Sequence, residues 1–207
     1  MKKRILWCIL CACLVSTSLF AQEPALLSRV HDTEACRKWV DGQMEKMTLK
    51  QKVGQLFIYT LQPVTNQYSK NVLRKMVDDY GVGGLLFTGG ELRKQVQMTN
   101  YAQAHASVPL MVTFDGEWGL GMRLKDTPSF PYNRVLGCIQ NDSLLYEYGK
   151  EVARQCRLIG VQINFAPVAD VDNNPNNPVI NFRSFGSDPK RVAEKVAAYV
   201  KGLEENG

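Results

Sequence analysis

Apolar residues along this chain gather in short unbroken blocks, separated by longer amphipathic stretches. Four blocks predict strands: 53–59 (VGQLFIY), 82–87 (VGGLLF), 108–114 (VPLMVTF) and 161–165 (VQINF). Each block is continuous instead of alternating, as expected of a strand covered on both faces. Around them the pattern predicts helices over 33–51, 69–79, 91–106, 142–158 and from 188 to near the chain end. Ser69 reads as an N-cap and Gly81 as the stop of its helix. Asp142 reads as the cap of the helix that ends at Gly160. Asp188 and Pro189 open the last helix, with proline in its first turn.

Strand and helix alternate four times, which predicts an α/β fold with a parallel sheet. An open doubly wound sheet and a (β/α)8 TIM barrel both satisfy that alternation. Polar residues favour the barrel. Asp115 and Glu117 follow the third strand, and Asp170 and Asp172 follow the fourth. Barrel enzymes build their sites just beyond the C-terminal ends of strands. No GxGxxG follows the first strand, so a dinucleotide fold lacks its main support. Four βα units are half of a barrel, with two open strand edges. Residues 45–207 are therefore expected to be the N-terminal half of an incomplete barrel, with 22–44 as a lead-in.

The N-terminus adds an address. Met1, Lys2, Lys3 and Arg4 precede an apolar run from Ile5 to about Val15, and Ala21 offers a small residue at a cut site. This describes a secretory signal peptide over 1–21 and places the protein outside the cytoplasm, secreted or periplasmic. The run is too short to span a bilayer. A second reading is an outer-membrane lipoprotein, because Leu10-Cys11-Ala12-Cys13 faintly resembles a lipobox.

Loss of the signal lowers the formal charge from +5 to about +2, and nothing in the remainder suggests a nucleic-acid partner. It also removes three of the six cysteines. Cys36, Cys138 and Cys156 remain, too few and too widely spaced for a disulfide framework or a zinc site. They read mostly as buried small apolar residues, with one bridged pair left open as an alternative.

Two constellations could carry chemistry. The first is Asp115-Gly116-Glu117-Trp118-Gly119-Leu120-Gly121-Met122-Arg123. Carboxylates accept hydroxyl protons, arginine supplies fixed donors, and an aromatic face covers the C–H surface of a sugar ring. The competing reading is a loop whose ion pair holds only itself. Asp115 and Glu117 fall on the same side of an extended segment, so one can face a cavity while the other anchors the loop.

The second is Asn164-Phe165-Ala166-Pro167 through Asp170 and Asp172 to Asn181-Phe182-Arg183-Ser184-Phe185-Gly186. Asp170, Asp172 and Asn174 begin like a calcium loop, but Pro175 and Asn181 stand where glycine and glutamate belong. No metal or other cofactor is expected. Arg183 reads equally as a substrate clamp or as a core-edge ion pair. His31 and His105 sit outside both constellations. Gly83 and Gly84 read as packing or a bulge, since no phosphate loop surrounds them.

VGGLLFTGG, the strand running into Asp115-x-Glu117 with Arg123 eight residues after Asp115, FPYNRVLG, and NFAPVADVDNNPNNPVINFRSFGSDP together resemble glycoside hydrolase family 3. The resemblance covers about residues 45–207 and is nearest to the β-N-acetylhexosaminidases. It implies a (β/α)8 barrel that removes terminal N-acetylglucosamine with retention, through a covalent glycosyl-enzyme. It implies that Asp115, Arg123 and Arg183 bind the terminal sugar, with Glu117, Trp118, Asp170 and Asp172 supporting them. The branch often carries Gly-Gly-Arg after the glutamate, where this chain has Trp118-Gly119-Leu120. That departure keeps a family 3 β-glucosidase open as an alternative, beside a non-catalytic sugar-binding barrel.

The resemblance also implies a histidine acid/base within Lys-His-Phe-Pro-Gly-His-Gly and a later aspartate nucleophile. Neither motif occurs in this chain. Retaining chemistry needs both groups. The expectation is that the catalytic residues follow Gly207 and that residues 1–207 alone give no turnover. The expected partner is a carbohydrate with a terminal β-linked amino sugar, and the pattern does not address oligomeric state.

Overall fold

In the computed structural model, which describes residues 33–206, helix and strand alternate as the apolar blocks require. The expected signal peptide, residues 22–32 of the lead-in and His31 lie outside the described residues. Helix α1 spans Thr33–Lys46 and buries no side chain. Helix α2 spans Leu49–Gly54. Strand β1 is Ile58–Leu61, α3 is Gln67–Asp78, β2 is Gly84–Phe87 and α4 is Leu92–His105. Strand β3 is Met111–Phe114, α5 is Asn133–Leu136, α6 is Ser143–Leu158, β4 is Ile163–Asn164 and α7 is Pro189–Asn206. No helix among the described residues is long and apolar enough to cross a membrane.

Local chemistry corrects several expected boundaries. The helix expected over 33–51 is two helices, because Thr48 forms a capping box with Gln51 and starts a new one. The Thr48 amide donates to Gln51 Oε1 at 2.9 Å, and the Gln51 amide donates to Thr48 Oγ1 at 3.3 Å. That cap commits the next residues to helical bonding. The amides of Gln55, Leu56 and Phe57 donate to Gln51, Val53 and Gly54, so 53–57 is not strand and β1 starts late. The other strands also begin two to three residues into their apolar blocks. Ser69 is not the cap of α3: Asn66 is, with Oδ1 accepting from the Ser69 amide at 2.8 Å.

Asp142 stands at the N-cap of α6 but makes no capping bond there. Its backbone is already helical, and its carboxylate pairs with Lys195 of α7. Lys195 is 1% exposed, so its ammonium needs that partner and the Ile139 carbonyl that it also meets.

The four strands are parallel and lie in the order β1-β2-β3-β4. A sheet that grows in one direction is an arc of a (β/α)8 barrel; a doubly wound sheet reverses at a switch point. Leu85, Phe87, Val112 and Phe114 project from the two central strands and are fully buried. Leu73, Met98, Ala102, Leu145 and Val152 cover them from the helices. Each of the larger side chains among them contributes about 1.5–3 kcal/mol of transfer free energy.

Gly83 and Gly84 are packing residues. A Cβ on Gly83 would lie 2.1 Å from the Gln55 carbonyl oxygen, and one on Gly84 would lie 2.5 Å from that of Met111. The outer side of β1 is open. Phe57 and Ile58 are 60% and 44% exposed and help line an apolar cavity of about 510 Å³ with Val53, Met76 and Tyr80.

The cysteines divide. Cys156 is buried as expected, but Cys36 and Cys138 are exposed because they fall on outward faces of α1 and the turn after α5. All three thiols are free. Burial pushes the Cys156 thiol up to about 11.

Candidate functional site

Strand β3 ends at Phe114, and the next residues turn over the C-terminal end of the sheet. The Gly116 amide donates to Asn164 Oδ1 at 2.9 Å, which ties this loop to the end of β4. Tyr148 Oη donates to the Glu117 carbonyl at 2.9 Å from α6 below. Gly119 then takes φ 77°, and a Cβ there would lie 2.7 Å from the Phe130 ring, so only glycine fits. The turn leads into a 3-10 helix, Leu120–Met122, which brings Arg123 back over the strand end.

Arg123 Nη2 lies 3.0 Å from Asp115 Oδ2. The backbone of Arg123 is fixed to the loop after β2, where the Gly90 amide donates to its carbonyl at 3.0 Å. Both charged side chains of the pair are about one third open to solvent. Arg123 Nε is buried and has no hydrogen-bond partner among the described residues. The pair is thus a fixed donor and acceptor set with remaining capacity on both members.

Glu117 makes the second pair. Its carboxylate receives Arg183 Nη2 at 2.7 Å and Nε at 3.0 Å, a two-pronged contact. The Glu117 side chain is 5% exposed and that of Arg183 is 32% exposed. The Glu117 carboxylate raises the pKa of Arg183 above its ordinary value, and the charges of Asp170 and Asp115 add to this. Arg183 is therefore ion-paired, as one of its two sequence readings required. Its remaining nitrogen, Nη1, has only a long 3.4 Å contact to the Val179 carbonyl.

The long loop after β4 is held by three anchors. Asn133 Nδ2 donates to the Arg183 carbonyl at 2.7 Å. Arg134 pairs with Asp172 and also donates from Nη2 to the Asn181 carbonyl at 3.0 Å. Ser184 Oγ donates to the Asp170 carbonyl at 2.6 Å. Asn181 takes φ 36°, a left-handed conformation that asparagine tolerates better than most residues. Asp172, which continues the calcium-like spacing, is thus occupied by Arg134.

Asp115, Glu117, Arg123 and Arg183 therefore converge over the ends of β3 and β4, with the charge of Asp170 close enough to act on Arg183. Asp172 holds the loop instead of joining them. Trp118 stands against Tyr132, with ring centroids 4.8 Å apart. His105 packs on Tyr101 away from the site. The sequence reading missed Asn133, Arg134 and Tyr148, and named Asn164 without its role as an anchor of the Gly116 amide. Asn133 and Arg134 lie within FPYNRVLG and Asn164 opens NFAP, so their motifs were visible but not their partners. Tyr148 carried no signal beyond its place on an amphipathic helix.

The chain is similar to several known proteins. The chain is 31% identical over 148 residues to beta-hexosaminidase A of Pseudoalteromonas piscicida, covering 65% of this chain and 25% of that protein. It is 33% identical over 141 residues to beta-hexosaminidase LpqI of Mycobacterium tuberculosis, covering 64% and 35%. A solved family 3 beta-N-acetylglucosaminidase from Paenibacillus sp. str. FPU-7 superposes with a TM-score of 0.69 at 31% identity, over 77% of this chain and 31% of that one. The beta-glucoside phosphorylase BglX shares the fold at a TM-score of 0.76 and 21% identity, over 84% and 31%. The chain spans between a quarter and about a third of the length of these curated relatives. Residues 48–207 match the family described as glycosyl hydrolase family 3 N terminal domain, and the chain belongs to that family.

Proposed function

We propose that this chain supplies the sugar-gripping side of a retaining, exo-acting β-N-acetylhexosaminidase that removes terminal N-acetylglucosamine. The observation that carries the reading is the Asp115–Arg123 pair beside the Glu117–Arg183 pair, at the C-terminal ends of adjacent strands. In this reading Asp115 accepts from ring hydroxyls, and Arg123 and Arg183 donate to them. Glu117 presents Arg183 and contacts no sugar itself. The names of the curated relatives support the amino-sugar preference. Bond cleavage needs a nucleophile and an acid/base partner and belongs to the whole protein.

The test is hydrolysis of p-nitrophenyl β-N-acetylglucosaminide by the product of the complete reading frame. Release of p-nitrophenol supports the assignment, and absence of release sinks it. Release from the β-glucoside alone would establish the second reading, a family 3 β-glucosidase. Trp118-Gly119-Leu120 keeps that alternative open, since the amino-sugar branch often has Gly-Gly-Arg after the glutamate.

We also propose export through a signal peptide over residues 1–21. N-terminal sequencing of the protein recovered outside the cytoplasm should begin at Gln22, and an intact Met1 would refute it.

A further inference from the structure

We infer that Tyr199 of α7 is a positioning residue for the sugar-binding loop: it fixes Tyr148 and Asn164, the two side chains that grip the backbone of Gly116 and Glu117. This rests on the glycosidase reading above. Asn164 holds Gly116 by both backbone groups. Its Oδ1 accepts from the Gly116 amide at 2.9 Å, and its Nδ2 donates to the Gly116 carbonyl at 3.4 Å. Tyr148 Oη donates to the next carbonyl, that of Glu117, at 2.9 Å. Asp115 immediately precedes this gripped stretch and Glu117 lies within it, so both ion pairs of the site take their direction from it.

Tyr199 stands where it can set both grips. It is fully buried, and its ring stacks on that of Tyr148 with centroids 4.8 Å apart and planes at 23°. Burial raises the Tyr199 phenol well above its ordinary value; the Tyr148 hydroxyl adds to this and Asn164 opposes it, so both groups lie beside the hydroxyl. Tyr148 spends its one donor on Glu117, which leaves its oxygen free to accept. Tyr199 Oη nonetheless makes no hydrogen bond of good geometry among the described residues. Such a buried hydroxyl is costly, and phenylalanine would fill the same space without the cost, so packing alone does not account for a tyrosine here. The helix beneath it is rigidly seated. A Cβ on Gly149 would lie 2.2 Å from the Tyr199 carbonyl oxygen, and one on Gly202 would lie 2.1 Å from that of Tyr146. The buried Lys195 also ties α7 to Asp142 and the Ile139 carbonyl. A hydroxyl on that base limits the Tyr148 ring and the Asn164 amide to the orientations that hold the loop.

The test compares the whole protein with its Tyr199→Phe variant, which keeps the ring and loses the hydroxyl. KM for p-nitrophenyl β-N-acetylglucosaminide should rise about fivefold with kcat little changed, the size expected of one lost hydrogen bond. Amide hydrogen exchange should quicken in the 114–119 segment and stay unchanged in α6 and α7. Combining Tyr199→Phe with Tyr148→Phe should raise KM by less than the product of the two single effects, because the hydroxyls act in series. An unchanged KM, exchange that quickens across α6 and α7 alike, or effects that multiply would each overturn the positioning role while leaving the glycosidase assignment standing. Absence of turnover by the unmodified protein would overturn that assignment, and the exchange measurement would still decide whether Tyr199 holds the loop.

Discussion

Glu117 and Arg183 are 66 residues apart in sequence, yet Glu117 Oε1 lies 2.7 Å from Arg183 Nη2 and 3.0 Å from Nε. The contact joins the loop after β3 to the loop after β4. Because Glu117 is almost fully buried, its carboxylate depends on this one guanidinium for compensation.

Arg183→Ala should therefore be severe. It leaves a buried carboxylate unpaired, at a cost on the order of 3 kcal/mol, kept toward the low end because Arg183 is about a third open to water. Arg183→Lys should recover only part of that, since a single ammonium cannot reproduce the fork. Adding Glu117→Gln to Arg183→Ala should cost less than the sum of the two changes. Urea unfolding of the four proteins checks this, and strict additivity would mean the pair carries no coupling.

The Asp115–Arg123 pair should behave in the opposite manner. Both side chains are about a third exposed, so Asp115→Ala should change unfolding by less than about 1 kcal/mol. On the proposed sugar-binding role of Asp115, the same change should lower kcat/KM of the whole protein by about 10- to 100-fold, through loss of charged hydrogen bonds. A large stability loss with unchanged kcat/KM would assign this pair a structural role only.

Tyr148→Phe probes the support beneath the loop. The hydroxyl donates to the Glu117 carbonyl inside the core, and the ring stacks on Tyr199 with centroids 4.8 Å apart. Removing the oxygen should cost about 1 kcal/mol and should raise KM more than it lowers kcat. Unfolding curves with Michaelis parameters check this, and identical values in both assays would show that the bond holds nothing in place.

Alkaline pH should weaken the fold. Burial raises the Cys156 thiol to about 11 and also raises the phenols of Tyr148 and Tyr199. A raised folded-state pKa means that the native state binds the proton more tightly. The stability it provides is complete below about pH 9 and is lost as pH rises toward 11. Urea midpoints should fall steadily across that interval, and Cys156→Ala should flatten the first part of the fall. A midpoint that holds constant to pH 11 would contradict the burial of these groups.

Much of the architecture was legible in the apolar blocks. All four strands and the long helices between them follow from local pattern, because strands of a parallel sheet carry continuous apolar runs; the short helix α5, Asn133–Leu136, was not foreseen. Boundaries were less legible. The apolar run at 53–59 looked like strand from its start, but the Thr48–Gln51 capping box held its first half in helical bonding. Asp142 looked like a cap, but Lys195, distant in sequence and buried, took its carboxylate. At 53–59 one local signal, the Thr48-x-x-Gln51 cap, outweighed another, the apolar run; at Asp142 local propensity was overruled by a partner 53 residues away that the pattern does not show.

For the site, the sequence alone determined which side chains could act: Asp115, Glu117, Arg123 and Arg183 stand after apolar strands, where barrel chemistry gathers. The tertiary structure decided how they divide. Arg123 went to Asp115 through a turn that Gly119 makes possible, an eight-residue relationship that spacing could suggest. Arg183 went to Glu117, Asn133 to the Arg183 carbonyl and Asn164 to Gly116, across 48 to 66 residues. Such pairings depend on the register of β3 against β4 and on how a long loop closes over them. Register and closure are set by the packed sheet as a whole, so no local stretch of sequence contains them.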